Sequence, residues 1–371
     1  MMKNYRIITA ILTLGISLSF SQLENDQDIS KVGTTAAQFL KISAGARGSA
    51  MGGANVAIVN DLSSGFWNPA GLANLKGIQA YFENNGWLAG TDYNFGSFGF
   101  EWPRVGVFSL SLAMLTSPDD LVRTVENPNG TGEKFNSQDM SIGLSVGKKL
   151  TDELSLGATI KNIRQRIWHS SGQTVGVDIG VQYKTPIKNL ILGASIANFG
   201  NDISLAGRDM NISVDPDPNN QGNIEFVNAQ YETDAFPLPL LFRVGLGGYI
   251  IDQEKLDILF AFDAVHPNDN YEYINIGIET NVNNMFSIRA GYPGIGKKDA
   301  IEGLSFGVGV KYPIMNSNNN LSVDYTSSDS RCWFYLLGIQ PDRALTLKGL
   351  NHFIFLIKSF LWVQHFLMEK V

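Results

Sequence analysis

Three stretches of this chain alternate with a period of two, and that pattern narrows the folds open to it more than any other feature. In Gln138–Lys149, Met140, Ile142, Leu144 and Val146 share one face, and Asp139, Ser141, Gly143, Ser145 and Gly147 share the other. Thr174–Tyr183 and Gly303–Tyr312 repeat the split, with Val, Ile, Leu, Phe and Tyr opposed to Gly, Ser, Asp, Gln and Lys. A two-residue period is the signature of a strand. Between the first apolar run and residue 349 no segment carries 18 consecutive apolar residues, which excludes helical membrane spans from the body of the chain. Charged residues are sparse at 17% and glycine is plentiful at 38, a balance that suits many strands joined by tight turns.

Alternation alone does not separate a soluble sandwich from a membrane barrel; the connections do. Thirteen strand candidates run from 77 to 327. Those after the even-numbered strands are short, such as Trp102-Pro103 and Thr151-Asp152-Glu153, whereas those after the third and seventh are long, 116–137 and 200–237. Short turns at one end and long loops at the other are the pattern of an outer-membrane barrel. The expected fold is therefore all-β, a transmembrane antiparallel up-and-down β-barrel of about 14 strands, since single-chain bacterial barrels have even strand numbers. Thirteen strands are clear, and a fourteenth is expected after Asp329.

The ends divide the chain further. Residues 1–21 read as a signal peptide, with Lys3 and Arg6 before an apolar run and Ser19-Phe20-Ser21 as a cleavage site; they direct the chain toward the outer membrane of a Gram-negative cell. Residues 22–32 read as a periplasmic extension, 33–75 as a plug entering the barrel from the periplasmic side, 76–330 as the barrel and 331–371 as an atypical tail. Two readings of the tail stand: an altered or degenerate end that replaces the last strand, or a short closing strand over Trp333–Leu337. Within the plug, Ser43 to Ala54 is Gly, Ala or Ser except at Arg47 and Met51. Side chains this small let backbone approach backbone, so the stretch is expected buried inside the barrel. Asp61 or Ser63, and Asn68 before Pro69, are helix-start signals.

Gly45, Arg47, Met51-Gly52-Gly53 and Trp67-Asn68-Pro69-Ala70-Gly71 together resemble the PorV/PorQ family of outer-membrane proteins of type IX secretion, which are similar to FadL-type fatty-acid transporters. The resemblance implies a plugged fourteen-stranded barrel. It implies as partners the type IX translocon, the attachment complex or the C-terminal domains of secreted cargo, or, on the FadL side, a hydrophobic small-molecule ligand. It is Bacteroidetes-like in its setting.

No enzyme is expected. Gly143-Leu144-Ser145-Val146-Gly147 and Gly303-Leu304-Ser305-Phe306-Gly307 match a nucleophile-elbow motif, but they lie inside alternating strands, without the strand-to-helix turn that the elbow needs. His169 and His266 fall in expected external loops and converge on neither serine. Asp215-Pro216-Asp217-Pro218-Asn219 begins like a calcium loop but lacks the glycine and glutamate that such loops require; a polar external loop is preferred to a loose cation site. One cysteine, Cys332, and four histidines argue against a structural zinc site, and net charge −7 gives no footprint for nucleic acid. No cofactor is expected.

The face of small residues also carries Lys161, Asp178, Arg243, Asp263, Glu279, Arg289, Lys311 and Asp324, placed in the lumen because a charge on the lipid face costs about 2–4 kcal/mol at the midplane for Arg or Lys. Arg47 is the expected tether of the plug, through a bidentate pair with a wall carboxylate. Asp119, Asp120, Phe226 and Tyr231 are candidate external-loop contacts for a protein partner. Leu115, Phe236 and Leu238 fall in the same loops, with an aromatic girdle at the lipid interface as the preferred setting for Phe236.

Overall fold

A computed structural model describes residues 31–187, 190–216, 226–298, 300, 302–313 and 320–330. The leader, most of the 22–32 extension, the core of the 215–226 loop and the 331–371 tail lie outside the described residues. Thirteen long strands follow one another as antiparallel neighbours in a single sheet: β1 (Ile78–Gly86), β2 (Asp92–Trp102), β3 (Gly106–Thr116), β4 (Ser137–Lys149), β5 (Leu154–Ile167), β6 (Ser170–Lys184), β7 (Leu190–Gly200), β8 (Leu241–Gln253), β9 (Leu256–Pro267), β10 (Tyr273–Val282), β11 (Phe286–Ile295), β12 (Glu302–Pro313) and β13 (Asn320–Ser330). Ala206–Gly207 adds a two-residue strand on β6. Among the described residues no helix is long and apolar enough to cross a membrane.

Between the edge strands β1 and β13, the strands bury one face and expose the other. Phe98, Leu110, Leu144, Ile160, Ile179 and Ile278 are among the large apolar side chains left exposed, as a lipid-facing wall requires. The opposite face looks inward onto residues 33–75. Long and short connections segregate as the sequence indicates, and the two long loops fold into small ribbons, Asp120–Leu121 with Lys134–Phe135 and Asn211–Val214 with Val227–Gln230. β1 and β13 both run from the turn end to the loop end, and among the described residues neither pairs with the other.

Two details differ from expectation. The 33–75 segment reaches the turn end at residues 57–60 and again at Asn74, ahead of β1. Its beginning lies at the loop end, where the Ala36 amide donates to Pro237 O and the Ala37 amide to Gln165 Oε1, so the segment threads the whole height of the barrel. β7 also carries a bulge: the register with β6 shifts between Val177 and Ile179, and Asn198 takes a left-handed φ of 64°. A bulge adds one residue to one strand and bends it. β8 then starts at Leu241, leaving Leu238 free to turn inward, where it is buried among lumen side chains rather than set in a loop rim. Leu115 joins the same cluster.

Candidate functional site

The lumen is filled by short turns of helix. Gln38–Lys41 and Pro69–Asn74 are 3-10 turns, and Ala46–Ala50 and Ser64–Trp67 are single α turns. Such short pieces are marginal by themselves, so the wall must hold them. Gly45 N donates to Glu83 Oε2 at 2.6 Å and Ala46 N to Tyr81 Oη at 3.2 Å, which satisfies the first amides of the Ala46–Ala50 turn from β1. Asp61 Oδ1 accepts from Ser63 N, ahead of Ser64–Trp67. Asn68 caps the last turn through Ala70 N at 3.1 Å, with Pro69 in the first position.

Asn68 does more than cap. It is fully buried, and its amide donates to Val56 O and to Val181 O on β6, both at 2.9 Å. One side chain thereby joins two parts of the plug to the wall. Asn68→Ala removes the bonds to Val56 O and Val181 O and leaves the buried Ala70 amide without its cap, while Val56 O keeps only a longer contact with Gln182 Nε2 at 3.4 Å; each lost bond costs about 1–3 kcal/mol. A drop of about 2–4 kcal/mol in unfolding free energy is expected, read as an earlier loss of heat-modifiable gel mobility. Trp67 lies beside it, 3% exposed, donating from Nε1 to Ala44 O at 2.6 Å and meeting Phe66 edge to face at 5.0 Å. Gly48 lies against the Trp67 ring, and Gly71 against Val59 O, where a Cβ would collide. Gly52 and Gly53 take φ of 66° and 78°, in the left-handed region, and Met51 is fully buried.

The wall answers with its own glycines. A Cβ built on Gly291 would overlap Met51 and Gly52 backbone, one on Gly157 would overlap Pro69 backbone, and one on Gly193 would overlap Ala57. The inward glycines are therefore a bed into which residues 45–75 are keyed backbone to backbone.

Charges form three groups on that inner face. Arg47 donates from Nε at 2.8 Å and from Nη2 at 2.7 Å, both to Glu279 Oε2. Both contacts fall on one oxygen, in place of the expected two-oxygen fork, because Oε1 is taken by Arg289 Nε at 3.1 Å. Arg289 in turn reaches Asp324 at 2.6 Å. In the second group Lys161 Nζ lies 2.7 Å from Asp178 and donates to Asn198 Oδ1 at 2.7 Å, while Asn198 N donates to Asp178 Oδ1. This lock holds the β7 bulge. In the third group Asp263 Oδ2 accepts from Asn55 N and Val56 N, and the guanidinium of Arg243 lies 5.6 and 5.5 Å from the ring centres of Phe66 and Trp67. Lys311 shares the inward face but is exposed at the turn end of β12.

Two spaces remain. A mouth of about 500 Å³ opens at the turn end, with Arg47, Asn60, Gln182 and Tyr249 among its lining residues. A gap of about 20 Å³, room for one water, lies deeper between Leu40, Phe66, Tyr93, Phe95 and Lys161. It borders the largest apolar cluster in the lumen: Phe39, Leu40, Ile42 and Ala44 of the plug against Tyr93, Phe95, Ile163 and Leu238 of the barrel.

That cluster is closed over at the loop end by a contact that the sequence reading missed. Asp269, 2% exposed in the β9–β10 connection, accepts through Oδ2 from Thr35 Oγ1 at 2.7 Å, Gln38 Nε2 at 2.8 Å and Lys41 Nζ at 2.8 Å. Burial alone would raise its pKa; the bonds from Lys41, Gln38 and Thr35 outweigh it and hold the carboxyl below its ordinary value. A depressed folded value means that the stabilisation is fully present above the unfolded carboxylate pKa of about 3.9 and is lost as pH falls through the folded one. Protection of residues 35–41 from proteolysis should therefore decline on acidification below about pH 4, and Asp269→Asn should abolish that pH dependence.

The remaining candidates scatter. Ser145 Oγ accepts from Thr159 Oγ1, and Ser305 Oγ donates to Ala50 O and Gly291 O. Both serve the plug–wall interface, whereas His169 pairs with Asp209 at the loop end, and His266, expected in a loop, lies near the end of β9 and pairs with Glu272. Asp119 and Asp120 bond within the first long loop, to Asn136 and Arg123. Phe226 and Tyr231 stand 65% and 64% exposed in the second.

No family model matches the chain, and no curated protein does. Solved structures with a similar sheet include a FadL homologue of Pseudomonas aeruginosa, at 13% identity over 76% of this chain and 88% of that one, with a TM-score of 0.44. The toluene transporter TbuX of Ralstonia pickettii matches at 12% identity over 77% and 98%, with a TM-score of 0.43. The toluene transporter TodX of Pseudomonas putida matches at 13% over 76% and 96%, with a TM-score of 0.42. At these identities the likeness is one of sheet architecture.

Proposed function

We propose that this chain is an outer-membrane channel or carrier for small hydrophobic molecules, without enzymatic activity. One observation carries the reading. Inward wall positions are mostly glycine, polar or charged, with smaller apolar groups at Val107, at Leu259 and Ala261, and at Leu241 and Val265; at the loop end Tyr93, Phe95, Ile163 and Leu238 turn the bulkiest apolar surface inward. Apolar surface facing an aqueous lumen is unfavourable at roughly 25 cal/mol per Å², so a wall that keeps it there gains only if something apolar covers it. Uptake of a radiolabelled monoaromatic hydrocarbon by cells bearing the chain tests the reading: faster entry than in cells lacking it supports the proposal, and equal rates overturn it.

A second reading keeps the PorV/PorQ resemblance: a type IX secretion barrel that binds translocon, attachment-complex or cargo domains through its external loops. The exposed Phe226 and Tyr231 favour it, because aromatics are enriched where proteins meet. Crosslinked pull-down from outer membranes separates the two, since recovery of secretion components would promote the second.

A further inference from the structure

The outer wall carries one cationic strip. On the described strands, outward positions away from the turn end hold only two basic residues, Arg164 and Arg166, both on β5. Register sets them in rows that climb out of the apolar wall. Ile142, Asn162 and Val175 lie side by side; the next row is Met140, Arg164 and Gln173, and above it stand Gln138, Arg166 and Ser171. Ile142, Ile160 and Val175 are exposed as lipid-facing residues. A cation on that face is costly at mid-depth and tolerated near the interface, so the arginine rows mark the headgroup level at the loop end. Neither row offers them a carboxylate from β4 or β6. Arg166 Nη2 donates to Asn136 Oδ1 at 3.0 Å, and Asn136 Nδ2 donates to Asp119. Arg164 is exposed and has no hydrogen-bond or ion-pair partner among the described residues.

Directly above, β5 turns into β6 through Trp168 and His169 alone. Two-residue hairpins favour Asn and Gly because they demand positive φ, yet Trp168 stands there at a φ of 52°. A bulky residue in the left-handed region is strained, and such strain gathers where a ligand is held. The Trp168 amide donates to Asn136 O at 3.1 Å, so Asn136 ties the aromatic tip to Arg166. The Trp168 ring lies 6.3 Å from that of Phe135, itself 37% exposed.

Apolar wall, guanidiniums and aromatic tip thus follow one another up a strip three strands wide. We propose that the outer face of β4, β5 and β6 binds a phosphorylated glycolipid of the outer leaflet. Its acyl chains lie along Ile142, Ile160 and Val175, its phosphate meets Arg164 and Arg166, and its sugar covers Trp168. The planar fork of arginine takes two phosphate oxygens at once, and a two-residue step along a strand, about 7 Å, brings both forks to one phosphate. A phospholipid headgroup would answer the arginines but leave the tip bare, whereas the flat C–H face of a sugar ring packs on an indole.

Native mass spectrometry of the full chain in detergent tests the site. The probes are bisphosphorylated lipid A, its dephosphorylated form, phosphatidylglycerol and inorganic phosphate. Lipid A should bind about tenfold tighter than any of the other three. Arg164→Gln with Arg166→Gln should weaken lipid A about tenfold, and Trp168→Gly, which relieves the strained φ, should weaken lipid A severalfold and leave phosphatidylglycerol unchanged. Lys148→Gln, at the turn end, should bind as the unaltered chain does. Heat-modifiable gel mobility verifies that each variant is folded. Lipid A binding that ignores the arginine substitutions, or that falls equally with Lys148→Gln, overturns the proposal. So does dephosphorylated lipid, phosphatidylglycerol or inorganic phosphate bound as tightly as lipid A.

Discussion

Gly291→Val should unseat the plug. The valine Cβ would fall on Met51 and Gly52 backbone, where Gly52 is itself held at a φ of 66°. Overpacking costs about 1–3 kcal/mol where side chains can shift; here the obstructing atoms are main chain on both sides, so the loss should reach about 3 kcal/mol or more. Limited proteolysis of the folded protein should then cut within 45–54, a stretch buried or half-buried in the native chain at every position. The same substitution at Gly96, whose Cβ would meet only ordinary contacts near 4 Å, should leave that stretch protected. Equal protection in both variants would show that the glycine bed does not hold the plug.

Glu279→Ala is the second large effect, and its size relative to Arg47→Ala is the informative quantity. Glu279 is nearly enclosed and serves Arg47 through one oxygen and Arg289 through the other. Removing it leaves the half-buried Arg47 without a carboxylate and Arg289 with Asp324 alone, and stripping one partner from a buried pair costs about 3–5 kcal/mol. Arg47→Ala removes one cation but leaves Glu279 paired with Arg289, so its cost should be smaller, about 1–3 kcal/mol. Denaturant unfolding in detergent of the two single variants and the double variant measures the coupling. A larger loss for Arg47→Ala would contradict the arrangement.

The architecture was readable because parity is a property of sequence: in a strand every second residue shares a face, and charge, glycine and apolar bulk sorted themselves by that rule. Lys161, Asp178, Arg243, Asp263, Glu279 and Arg289 all lie buried on the inward face, and burial of the 43–54 stretch followed from its lack of side-chain volume. What pairs with what was not readable. Arg47 meets Glu279 across 232 positions, and no local pattern encodes that separation. The Asp269 contact was hidden for the same reason, as an acidic residue in a polar turn. The apolar site did leave a trace: in Asp92–Trp102 the alternation inverts at the loop end, with Tyr93 and Phe95 on the small-residue face and Asn94 and Gly96 opposite. Leu238 was misplaced because the β7 bulge, which shifts the start of β8, depends on a buried Lys–Asp–Asn lock assembled from three strands.

The Ala46–Ala50 turn has a consequence for the order of assembly. Its first amides are held by Tyr81 and Glu83 on β1, its last carbonyl accepts from Ser305 on β12, and it packs against β13. The turn therefore spans, from within, the place where the two ends of the sheet come round to face each other. Contacts keyed main chain to main chain cannot slide along the barrel axis, so a finished cylinder offers this segment no way in. The N-terminal piece must act as a mandrel: the hairpins wrap around it as they form, and the curvature of the wall is set by the object it encloses.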